Sequence, residues 1–137
     1  MNPLAYKVLV IISLFFFYPV SSGFASQENE IATQVAKALN KGNARDVARH
    51  FGNTVDLKLP GNEGTYSRNQ AELILRNFFS RNPVQSFTVQ HQGPSRDGSI
   101  YVIGVFSTTD GKTFRAYFLC KNISERMVLH LLQMDEQ

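Results

Sequence analysis

The side chains with most to offer chemically in this 137-residue chain are His50, His91, His130, Cys120 and Arg115, the last set inside an aromatic strand. Acid–base catalysis needs an imidazole or carboxylate within hydrogen-bond reach of a second donor, and Asp56, Tyr66, Tyr101 and Tyr117 complete the set that could supply one. His91 shares parity with Phe87 and Val89, so it is expected on the apolar side at a strand end, as a base, a ligand donor or a satisfied structural residue. Arg115 lies among Phe114, Ala116, Tyr117 and Phe118. A guanidinium there needs an anion, from Asp56, from Glu72, from a second subunit or from the carboxylate of a ligand. Asp56 alternates with Val55, Leu57 and Leu59 and is expected in solvent; only if turned inward could it pair with Tyr66.

The remaining candidates read more plainly. His50 closes a short helix, where a cation suits the terminal carbonyls. His130 shares a strand face with Val128 and Leu132, as an interface histidine would. Cys120 is expected to be buried as a small hydrophobe. No histidines or carboxylates fall at metal-ligand spacing, and the chain contains no GxSxG, Walker or GxGxxG motif. No metal or cofactor is therefore expected.

These residues need a scaffold. Ile31, Val35, Ala38 and Leu39 form the stripe of an amphipathic helix ending at Gly42. Asn43 then caps a short second helix in which Val47, Ala48 and Phe51 face inward and Gly52 closes the last turn. Residues 54–59 alternate as a half-buried strand, and residues 60–64 read as a loop. Ser67 and Gln70 make a capping box for a helix whose Ala71, Ile74, Leu75 and Phe78 share a side, and which stops before Pro83. Four strands follow, near 84–92, 99–108, 113–121 and 126–135. Asp97-Gly98, Asp110-Gly111 and Asn122 lie between them, so the strands must pair in sequence as an antiparallel meander. The last strands are apolar on both faces, which calls for a second covering layer, most simply another copy of the chain.

The chain opens differently. Lys7 precedes an uncharged run from Val8 to Val20, and Gly23 and Ala25 supply the small residues of a cleavage site. That pattern is a secretory signal peptide over residues 1–25, with a mature domain over 26–137 that is periplasmic or secreted. The apolar run is shorter than the ~20 residues of a transmembrane helix, so no membrane span is expected after cleavage. Formal charge is +3, and Lys7 leaves with the leader. The basic residues are scattered without interleaved aromatics, which argues against a nucleic-acid partner.

The element order resembles the nuclear transport factor 2-like, or cystatin-like, α+β cone: a curved antiparallel sheet packed on N-terminal helices. The words from Ser67 to Phe79, Asn82-Pro83, His91-Gln92-Gly93, residues 97–104 and Phe114-Arg115 resemble a small family of exported bacterial domains of unknown function in that superfamily. The resemblance implies a pocket between sheet and helices, and no particular activity, since the fold hosts both enzymes and binding modules. On it we place candidate ligand contacts at His91, Arg115, Tyr101, Tyr117, Phe78, Phe79 and Phe87. The function expected is non-catalytic binding of a small ligand or protein partner, in a chain that forms a homodimer through its sheet. A cofactor-free lyase or isomerase in the same pocket is the alternative, and it needs His91, Asp56 and Tyr101 to converge.

Overall fold

A computed structural model describes residues 25–137, with side chains from Glu30 onward. The leader read over residues 1–25 lies outside them except for Ala25. The elements are α1 (Ala25–Lys41), α2 (Ala44–Ala48), β1 (Phe51–Leu59), β2 (Asn62–Ser67), α3 (Arg68–Arg81), β3 (Val84–Pro94), β4 (Ile100–Thr108), β5 (Thr113–Ile123) and β6 (Arg126–Glu136). Among the described residues no helix is long and apolar enough to cross a membrane.

Local sequence explains most of this order. Ile31, Ala32, Val35, Ala38 and Leu39 are buried along one side of α1. Gly42 ends the helix at φ 63, where the amides of Gly42 and Asn43 return to the carbonyls of Leu39 and Ala38. The Asn43 side chain then accepts from the Asp46 amide to start α2. Both halves of the Ser67–Gln70 capping box form at the head of α3.

β3 to β6 pair in sequence, as the turn residues require. The sheet, however, is mixed rather than wholly antiparallel. Its order is β2-β1-β6-β5-β4-β3, with β1 running parallel to β6. Residues 60–64 are not a loop: Pro60 and Gly61 turn the chain and β2 returns antiparallel on β1. Phe51 and Gly52 belong to β1, not to the end of α2, although Phe51 is fully buried either way. The helices divide the work between them. α1 lies along β3, β4 and β6, while α3 packs on β1, β2 and α2 and reaches the meander through Phe78 and Phe79.

Of the register shifts in the sheet, two reassign candidate residues between its faces. In β3 the register shifts between Val89 and His91; in β6 it shifts opposite Leu119 and Cys120, where His130 is the extra residue. Each shift reverses the alternation that a regular strand would carry. Leu129 therefore joins Leu132 and Met134 in the core, and Val128 turns to the opposite face from Leu132. The β5–β6 turn is tight, with Ser124 and Glu125 both left-handed at φ 53 and 64. A non-glycine residue in that conformation costs about 1 kcal/mol. Glu125→Gly is accordingly expected to raise unfolding free energy by about 1 kcal/mol in a urea titration.

Candidate functional site

The hollow between helices and sheet is filled with rings. Phe78 lies 5.9 Å from Phe79, 5.9 Å from Phe106 and 5.3 Å from Phe114, the last pair edge to face. Phe79 stacks on Phe106 at 5.7 Å. Phe87 sits further along the inner face, 6.4 Å from Phe118. All six rings are at most 8% exposed, so Phe78, Phe79 and Phe87 are core residues, with only edges of Phe78 and Phe79 reaching surface concavities.

The other four candidates lie on the outer face. The ladders place Asp56, Leu131, Leu119, Tyr101 and Gly93 in one row across β1, β6, β5, β4 and β3. The next row holds Lys58, Gln133, Tyr117, Ile103 and His91, and the one after it Asp135, Arg115, Val105 and Thr88. His91, Arg115, Tyr101 and Tyr117 thus share a surface, but it is not the one expected. The bulge at Gln90 carries His91 to the outside, away from Phe87 and Val89, and leaves it exposed.

This arrangement brings no acid–base pair together. Asp56 and Tyr101 are three strands apart in their row, about 14 Å at the ordinary spacing, and His91 lies a further strand away. The Thr65 hydroxyl donates to Asp56 at 2.6 Å. Tyr66 packs toward the core on the opposite face of β2, so the Asp56–Tyr66 pair is not formed. Tyr101 has a structural task as well: its ring covers Gly93, where an added Cβ would meet the ring oxygen at 3.2 Å.

Arg115 stands opposite Asp135 in the β5–β6 ladder, and neither Asp56 nor Glu72 pairs with it. The Glu72 carboxylate is instead held by Arg76 at 3.3 Å. His50 is not the favoured cation that its helix-end position suggests. Burial lowers its pKa below 6.5, the nearby Asp46 opposes this, and Arg49 and Arg126 add to the lowering. The Cys120 thiol is buried and its pKa is pushed up to about 12 by desolvation, which makes it a poor nucleophile at neutral pH. No cluster among the described residues is suited to a metal ion.

Sequence reasoning passed over one grouping altogether. Gly52, Asn53, Thr54, Arg68, Arg126 and Val128 line a concavity of about 260 Å³, where β1 departs from β6 beside the β5–β6 turn. Its signal was weak, because Arg68 and Arg126 are far apart in the chain and each reads alone as a surface charge.

Helices laid on one face of a curved six-stranded sheet give the nuclear transport factor 2-like fold. An NTF-2 like protein of unknown function from Silicibacter pomeroyi shares this fold at TM-score 0.55, with 9% identity over 82% of this chain and 95% of that one. The chain belongs to the DUF4783 family, a domain of unknown function, whose model matches residues 32–135. Solved structures of that family resemble it more closely. One from Bacteroides ovatus is 30% identical, covering 76% of this chain and 93% of its own, at TM-score 0.69. One from Bacteroides uniformis is also 30% identical, covering 77% and 95%, at TM-score 0.70. No curated protein matches the sequence.

Proposed function

We propose that the chain is an exported, non-catalytic binding domain that holds a protein partner on the outer face of its sheet, and that this partner is a second copy of itself. The leader pattern at residues 1–25 supports export. What carries the binding reading is the contrast between the two faces. The inner hollow is occupied by the protein's own rings, whereas Tyr101, Ile103, Val105, Tyr117, Leu119 and Leu131 form a continuous, partly exposed apolar surface on the other side. Charges of both signs border it: Arg115 and Lys58 beside Asp135 and Asp56. An apolar centre with a mixed-sign rim is self-complementary, because a two-fold axis can set each cation against the other copy's anion. A small ligand in the hollow would first have to displace the phenylalanines, so the protein partner is the better-supported occupant.

Leu119 sits at the middle of this surface, flanked by Tyr101 and Leu131. Leu119→Asp puts a charge there without touching the core. Sedimentation velocity at micromolar concentration should show a dimer for the wild-type 26–137 domain and a monomer for the variant, with far-UV circular dichroism unchanged. A wild-type domain that sediments as a monomer would remove the self-association reading.

A further inference from the structure

A cluster of unpaired cations on this chain points to a small ligand of a definite kind. The guanidinium of Arg68, on the first residue of α3, reaches the concavity between β1 and the β5–β6 turn, and its Nε–H is enclosed with no acceptor among the described residues. Arg126 lines the same space from the start of β6, and its side chain makes no hydrogen bond or ion pair among the described residues. Its field extends to His50, where it adds a small contribution to the lowering of the imidazole pKa that burial mainly causes. The rest of the lining consists of Gly52, Asn53, Thr54, Ser124 and two aliphatic side chains, with no carboxylate. Asp56 of β1 is engaged by the Thr65 hydroxyl, Asp46 is paired with Arg49 at 3.6 Å, and the exposed Glu125 of the turn forms no ion pair among the described residues.

Two guanidiniums held in one hollow repel each other, and an enclosed N–H without an acceptor loses the hydrogen bonds it would make in water. Both penalties are lifted by one species, an oxyanion offering at least two oxygens, since the guanidinium fork matches carboxylate and phosphate geometry. The Asn53 amide and the Thr54 and Ser124 hydroxyls can donate to the oxygens left over. We propose that this concavity is an anion site, with Arg68 and Arg126 as its paired ligands, for a carboxylate or phosphate group. Its lining residues are distinct from those of the apolar surface discussed above, and the proposal does not rest on self-association.

The Arg Nε–H resonances of the 15N-labelled 26–137 domain read the site directly. Titration with inorganic phosphate, and in a parallel arm with acetate, should shift the Arg68 signal along a saturable curve, and the tighter arm names the ligand chemistry. Arg126→Gln, at an exposed position whose loss leaves the fold intact, should weaken that binding at least tenfold, and Arg68→Gln should abolish it. Repeating the titration on Leu119→Asp keeps the anion site and self-association distinct, because the curve should be unaltered in a monomer. Shifts that fail to saturate in both arms, or that persist unchanged in Arg126→Gln, would overturn the assignment.

Discussion

Gly104→Ala is expected to lower the unfolding free energy by about 3 kcal/mol or more, the upper end of what overpacking costs. The backbone at Gly104 does not have a left-handed φ, so the requirement is for space and not for conformational freedom. An added Cβ would stand 2.6 Å from the Thr88 carbonyl oxygen and 2.7 Å from the Phe87 ring. The ring could swing aside at some loss of packing. The carbonyl cannot, because Thr88 is paired with Val105 in the β3–β4 ladder. Thermal unfolding followed by circular dichroism should show a drop of roughly 10–15 °C for a domain of this size. Adding Phe87→Leu should recover only part of it, since the clash with the backbone remains. A melting temperature within a degree or two of wild type would mean that β3 and β4 are not packed as closely as the ladder places them.

The glycine device at position 104 marks where sequence and structure part. Patterns that act over a few residues were readable: the Ser67–Gln70 box, the Gly42 stop and the Asp-Gly turns each impose a backbone state by themselves. Hence the helices and the four-strand meander were legible. β2 was not, because Asn-Glu-Gly-Thr-Tyr-Ser is polar and an edge strand with one neighbour needs little apolar surface. The parallel contact between β1 and β6 joins residues some 75 positions apart, and no local pattern encodes it.

Candidate-site residues suffered most from the bulges. Strict alternation put His91 with Phe87, and Val128 with Leu132; the extra residue between the members of each pair reverses both assignments. Counting apolar positions still found the two-faced character of β5 and β6, so the outer surface was visible even though its membership was not. Arg115 was singled out as unusual among its aromatic neighbours, but its surroundings could only be judged once Asp135 was known to lie across from it.

The filled hollow has its own consequence. Phe78 is 2% exposed and touches three other rings, so Phe78→Ala removes a side chain that ties α3 to both β4 and β5. A loss of about 3–5 kcal/mol is expected, from the forfeited transfer energy together with a void that close-packed neighbours cannot collapse to fill. Phe78→Leu, which keeps most of the volume, should cost about 1–2 kcal/mol. The void would be walled on its inner side by Phe79, Phe106 and Phe114, and that aromatic wall should admit a small arene. Benzene added to the Phe78→Ala domain should therefore raise its melting temperature while leaving the wild type unchanged. Equal stabilisation of both would indicate space in the native hollow that the ring contacts do not allow, and with it a ligand pocket in the place where this sequence has put phenylalanine.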